Sequence, residues 1–261
     1  MCLILFAYET HPVYSLILAA NRDEFLDRPT APLGQWPDHP RVFAGRDLKA
    51  SGTWMGINQG GSLAAVTNFR DPANINPQAP SRGDLVADFL IKGIDAPKYL
   101  EQVKARGHLY NGFNLLAGDA GGLYYYGNRD PEGVRRLEPG YYGLSNHLLN
   151  TAWHKVEKGL QALTEALEND RQVRHETIFD LLTDQTIAED DRLPKTGVSL
   201  EWERALSPIF IRSPNYGTRS SSLLLVKRDG DMTICERSWS NASEGPLALE
   251  TRCFSVSAMD D

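Results

Sequence analysis

Two apolar runs close to the N-terminus constrain the fold more than any other stretch. Cys2-Leu3-Ile4-Leu5-Phe6-Ala7-Tyr8 shows no polar alternation, and Tyr14-Ser15-Leu16-Ile17-Leu18-Ala19-Ala20 shows almost none. A strand with one wet face alternates polar and apolar; a strand apolar on both faces has to be covered on both. Glu9-Thr10-His11-Pro12 between the runs supplies turn chemistry. The pair reads as an antiparallel hairpin buried between layers. A turn centred between His11 and Pro12 sets residue 2 across from residue 21. The second strand, read as Tyr14–Ala20, stops at Asn21-Arg22-Asp23-Glu24, so this charged cluster lands beside Cys2.

A cysteine in such a place is most often a small buried hydrophobe. Its position gives it a second possibility. If Met1 is removed, Cys2 carries a thiol and a free α-amine, and an α-amine titrates near about 7.7–8.0, low enough to serve as a base at neutral pH. A thiol with its own base is a nucleophile for acyl transfer. Arg22 beside the thiol is expected to favour the thiolate and lower its pKa. Asp23 is expected to hold the amine and orient the arginine through charge-assisted hydrogen bonds.

Downstream, Phe25–Lys49 is polar and rich in Pro, Asp and Arg, and reads as a long loop with little regular structure. A second hairpin is expected over Thr53–Asn58 and Ser62–Asn68. Ser81-Arg82-Gly83-Asp84 reads as a helix start, with Ser81 as N-cap and Asp84 reaching back. A second helix is expected over Pro97–Ala105. Strands are expected at Phe113–Ala117, Gly122–Tyr126, Val134–Leu137 and Tyr141–Leu144. Trp153, Val156, Leu160, Leu163 and Leu167 recur every three or four residues, a helix packed on a sheet. A shorter helix near Thr177–Thr183 leads into a charged loop. Strands follow at Ile209–Arg212, Ser221–Lys227, Met232–Ser238 and Thr251–Ser255. Strand runs around helical zones make a layered α+β architecture, read as a single domain over residues 1–261.

Composition excludes several functions. At 261 residues and 41% hydrophobic the chain can build one substantial core. A net charge of −7 without a basic block argues against nucleic acid. Cys2, Cys235 and Cys253 form no metal spacing, and an odd, sparse count fits a reducing cytosol better than a disulfide framework. The histidines at 11, 39, 108, 147, 154 and 175 lie in no metal motif. No metal and no resident cofactor are therefore expected. No apolar stretch approaches the ~20 residues of a spanning helix, and the early apolar run lacks the basic flank of a signal peptide. The expected location is cytoplasmic.

Met1-Cys2 with Asn21-Arg22-Asp23-Glu24 resembles the NRDE-motif family, related to the Transport and Golgi organization proteins. Gly52-Thr53-Trp54-Met55-Gly56, Val66-Thr67-Asn68-Phe69-Arg70, Ser81-Arg82-Gly83, Gly143-Leu144-Ser145-Asn146 and Tyr216-Gly217-Thr218-Arg219-Ser220 extend the resemblance over nearly the whole chain. That family is similar in turn to cysteine-type N-terminal-nucleophile hydrolases such as penicillin V acylases and bile-salt hydrolases. The resemblance implies a four-layer αββα sandwich of two antiparallel sheets. It implies oxyanion and substrate-amide roles for Asn68 and Asn146, both at strand ends, and a late arginine near the nucleophile, for which Arg219 is the match and Asp23 its expected partner. Thr67 and Trp54 are candidates for the pocket wall, with core packing the safer reading for Trp54.

Three readings follow, the third a degenerate hydrolase fold retained as an interaction module. In the first, Cys2, Arg22, Asp23, Asn68, Asn146 and Arg219 form the site of an amidohydrolase that cleaves a non-peptide C–N amide of a small-molecule amide or acyl substrate. In the second, the resemblance implies a non-enzymatic carrier that uses the same pocket for haem or an acyl lipid.

Overall fold

The computed structural model describes residues 2–168, 172–240 and 245–257. Its first hairpin, β1 (Cys2–Tyr8) and β2 (Tyr14–Phe25), forms the centre of a six-stranded antiparallel sheet. With β10 (Gly140–Leu144), β11 (Tyr216–Lys227), β12 (Met232–Ser240) and β13 (Leu247–Val256), the strand order is β10-β1-β2-β11-β12-β13. A seven-stranded sheet carries β3 (Thr30–Gln35), β4 (Val42–Asp47), β5 (Met55–Asn58), β6 (Leu63–Asn68), β7 (Phe113–Asp119), β8 (Gly122–Gly127) and β9 (Arg135–Arg136) in chain order.

The absence of alternation in the first hairpin has a direct structural cause. Ile4, Phe6, Leu18 and Ala20 pack between the two sheets against Ile57, Ala65 and Leu116. Leu3, Leu5, Ile17 and Ala19 point the other way, onto α3 (His154–Glu168) and α4 (His175–Leu181), through Val156, Leu163 and Phe179. The outer face of the seven-stranded sheet is covered by α1 (Gly83–Lys92) and α2 (Ala96–Arg106), which bring Leu85, Phe89 and Tyr99 onto Val66, Phe113 and Leu115. The four layers are those of an αββα sandwich.

Several sequence expectations change. Phe25–Lys49 is not a loop: it holds β3 and β4. Its prolines are compatible with strand, because Pro32 sits in an edge strand at a register break between Ala31 and Gly34, where a missing N–H costs nothing. The motif Asn21-Arg22-Asp23-Glu24 is not past a strand end but inside β2, continuing its ladder with β11. The hairpin pairs Cys2 with Arg22, one residue from the expected register. Ile209–Arg212 forms no strand, only one bridge from Arg212 to Gly217, whereas α5 (Leu200–Ala205) forms in the segment read as charged loop.

The start of α1 differs too. Arg82 occupies the cap position without a side-chain cap, and the Gly83 N–H donates to Ser81 Oγ at 3.2 Å. Gly52 explains the local path: a Cβ there would lie 2.6 Å from the Gly83 carbonyl carbon. Two backbones cross at that point, and Thr53 N–H donates to Gly83 O at 3.3 Å.

Cys235 and Cys253 are directly paired in the β12–β13 ladder and joined in a disulfide, their Cα atoms 4.1 Å apart. This overturns the inference from cysteine count. Their 18-residue separation resembles no disulfide framework, yet it is the length that brings one hairpin back upon itself. No helix among the described residues is long and apolar enough to cross a membrane.

Candidate active site

Strand alternation decides where each motif residue goes. Cys2 shares parity with Ile4 and Phe6, so its side chain faces the gap between the sheets, at the end where that gap opens. Arg22, of the same parity as Leu18 and Ala20, faces the same way. Asn21 and Asp23 have the opposite parity and face the helix layer, although Asp23 also reaches the wall of the cavity over Cys2. The four consecutive residues therefore do two jobs.

Asn21 is a brace. It is fully buried, and its Nδ2 donates to the carbonyls of Leu182 and Ile209, both at 2.9 Å. Its Oδ1 accepts from Ser221 Oγ at 2.5 Å. Asp23 accepts from Thr218 Oγ1 at 2.7 Å through Oδ1, and its backbone carbonyl accepts from Tyr216 OH at 2.9 Å. Its backbone amide is a hydrogen-bond donor to the Cys2 sulfur.

A cavity of about 510 Å³ opens over Cys2, lined among others by Arg22, Glu24, Asn68, Arg82 and Glu236. A second cavity of about 390 Å³ adjoins it, sharing Glu24, Phe25, Asn68 and Arg82, and turns apolar with Phe69, Ile75, Trp202 and Tyr216. Trp54 lines the first cavity while also packing against both cores. Thr67 does not line either; it donates to Ser145 O at 2.7 Å.

The electrostatics depart from the expectation for the thiol. Burial pushes the Cys2 pKa above its ordinary value, opposed chiefly by the N-terminal amine and then by Arg22, with the Asp23 charge adding to the rise. Desolvation of a thiolate outweighs a guanidinium that is itself engaged with Glu24, at 3.8 Å. The sulfur therefore rests as a thiol.

The outcome for the remaining site residues is mixed. Asn68 ends β6 and lines both cavities. Asn146 is fully buried outside them, its Nδ2 donating to the Asn68 carbonyl at 3.0 Å. Next to it, Ser145 Oγ donates to the Cys2 carbonyl at 3.3 Å, tying the end of β10 to β1. Arg219 does not meet Asp23. It is the extra residue in the β11 register shift between Thr218 and Ser220, and its Nη1 donates to the Phe25 and Arg28 carbonyls at 3.0 and 2.9 Å. Thr218 takes the place expected for it.

Sequence reasoning missed three groups. Arg82, assigned to helix-start chemistry, lines both cavities and donates to Gly112 O at 3.1 Å; burial lowers its pKa, while Glu24 and Cys2 raise it. Glu236 lines the Cys2 cavity, accepts from Leu33 N–H at 2.8 Å and Ser220 Oγ at 3.1 Å, and burial raises its pKa. Lys155, on α3, is buried beneath the sheet, and its Nζ has no hydrogen-bond partner among the described residues. Burial lowers its pKa to about 8, opposed chiefly by Asp23. Burial raises Asp23 in turn, and Lys155 is the first influence pulling it back. Farther out, Arg70 pairs with Glu203 at 2.7 Å and lies over the Trp153 ring at 4.8 Å. The only signal for Lys155 was a lysine between Trp153 and Val156 on an otherwise apolar stripe.

A family model described as Transport and Golgi organisation 2 matches residues 1–241. The Transport and Golgi organization protein 2 homolog of Bos taurus is 41% identical over 257 residues, covering 91% of this chain and 93% of its own length. The Homo sapiens homolog is 40% identical with the same coverage. Among solved structures, the Caenorhabditis elegans N-acylethanolamine-hydrolyzing acid amidase ortholog aligns over 86% of this chain and 92% of its own, with a TM-score of 0.48 and 12% identity.

Proposed function

The chain belongs to the Transport and Golgi organisation 2 family, and we propose that it is a hydrolase in which Cys2 cleaves a non-peptide C–N amide through an acyl-enzyme. The observation that carries the reading is the Cys2 side chain in the wall of a 510 Å³ cavity that also presents Arg22, Asn68 and Arg82.

The base in this mechanism is the α-amine of Cys2 after removal of Met1, which lies outside the described residues. The thiol proton leaves as the S–C bond forms. The amine takes that proton and passes it to the departing nitrogen as the C–N bond breaks. Water then attacks the thioester carbonyl, giving a proton to the same amine; the C–S bond breaks, the acid leaves, and the amine returns its proton to the sulfur, which restores the thiol. Asn68 donates its side-chain amide to the oxyanion, and Asn146 fixes the Asn68 backbone. Arg22 and Arg82 favour a substrate with an anionic or strongly polar part near the sulfur. Arg219 acts at a distance, holding the Phe25–Arg28 rim.

The adjoining apolar cavity supports a second reading, a carrier for an acyl lipid or haem, in which Cys2 is a contact or ligand rather than a nucleophile. Intact-mass spectrometry separates the two. After incubation with an electrophilic acyl probe such as a β-lactone, the wild type lacking Met1 gains one acyl group on Cys2, and Cys2→Ala gains none. A working protein that retains Met1 would end the amine-base mechanism. A Soret shift on haem titration that disappears in Cys2→Ala, with no acyl adduct in the wild type, would favour the carrier.

A further inference from the structure

We propose that His175, Cys235 and Cys253 form a redox-gated site for a thiophilic d¹⁰ cation of the zinc(II) class, separate from the Cys2 cavity. The β12–β13 register sets the two cysteines directly opposite one another. Cys235 has the opposite parity to Ile234 and Glu236, so it faces the helix layer. There the first residue of α4 meets it, with His175 Nδ1 at 3.8 Å from Cys235 Sγ. The three donor atoms all lie within 4.8 Å of one another. A tetrahedral zinc with sulfur at ~2.3 Å and nitrogen at ~2.0–2.1 Å needs its donors about 3.5–3.8 Å apart.

The disulfide is the gate. An external dithiol reductant gives two electrons and two protons to the Cys235–Cys253 bond and leaves as its own disulfide. The S–S bond becomes two thiols. The cation then displaces both thiol protons, so two thiolates balance its charge, and neutral His175 supplies the third ligand. Soft sulfur donors select zinc or copper(I) over magnesium or calcium. Access is open: Cys253 is exposed and His175 half-buried, so reductant and ion both reach the site, and a water or external ligand can take the fourth position. Sequence separations of 18 and 60 residues hide the cluster from any spacing rule.

The test uses the whole chain in its two redox states. One sample is reduced with a phosphine, freed of it anaerobically and titrated with cobalt(II); the other is left oxidised. The reduced chain should take up one equivalent with a thiolate-to-cobalt charge-transfer band, and zinc should displace the cobalt. The oxidised chain should show no band. Cys253→Ser should abolish it, and His175→Ala should weaken zinc binding by about tenfold or more in a chelator competition. Cys2→Ala should bind as the wild type does. The proposal is overturned if the reduced chain shows no cobalt band, if it unfolds instead of loading, if Cys253→Ser still binds, or if removal of Cys2 abolishes binding.

Discussion

Lys155 gives the sharpest test of how the site is built. Its ammonium lies beneath β1 and β2 with no hydrogen-bond partner among the described residues, and burial brings its pKa from 10.5 to about 8 despite the attraction of Asp23. Moving an ammonium from 10.5 to about 8 corresponds to roughly 3 kcal/mol, at ~1.36 kcal/mol per tenfold change in proton affinity. The folded pKa lies below the unfolded one, so the unfolded chain binds more protons between the two values. Stability contributed by this group therefore rises with pH across that window. Below about pH 8 the full penalty is present; above 10.5 it is gone. Roughly 2 of those 3 kcal/mol should be recovered between about pH 7.5 and 10. Lys155→Met removes the titration and keeps the volume. Equilibrium urea unfolding of both proteins at the two pH values isolates the effect, because Cys2 and the tyrosines titrate in both. The wild type should gain about 2 kcal/mol more than the variant on going to pH 10. Parallel stability curves would refute the buried, unpartnered ammonium. The same variant should raise the Asp23 pKa further, since it loses the leading influence that lowers it.

Two other substitutions separate bracing from chemistry. Asn21→Ala leaves the Leu182 and Ile209 carbonyls without their buried donor and should destabilise the fold by about 2–4 kcal/mol in urea unfolding; a loss below ~1 kcal/mol would show that water replaces the amide. Asn68→Ala should lower turnover of an amide substrate by about 10²–10³ with the unfolding midpoint little changed; an undiminished rate would move the oxyanion donor elsewhere.

How much of this was legible in the sequence depended on the range of the interaction. The doubly apolar hairpin required covering on both faces, and Leu3 and Ile4 meet two different cores for that reason. The stripe from Trp153 to Leu167 announced a helix on a sheet. Proximity of Cys2 to Asn21-Arg22-Asp23-Glu24 followed from one short turn, where a register error moves a residue by one place only.

What tertiary structure alone decided lies beyond such local rules. Alternation inside β2 turns Arg22 into the cavity and Asp23 toward the helix that carries Lys155, with Asp23 still at the cavity wall, an arrangement invisible until the motif is known to be strand. Thr218 rather than Arg219 meets Asp23 because a bulge in β11 shifts the register by one residue. Arg82 reaches the Cys2 cavity beside the point where the Gly52 and Gly83 segments cross, closely enough that a Cβ on Gly52 would lie 2.6 Å from the Gly83 carbonyl carbon. Cys235 finds Cys253 through a ladder. Sequence fixes periodicity and short-range pairing, since both depend on backbone geometry over a few residues. Which distant side chains share a low-dielectric pocket, and hence which protons are costly, is set only when the layers close on one another.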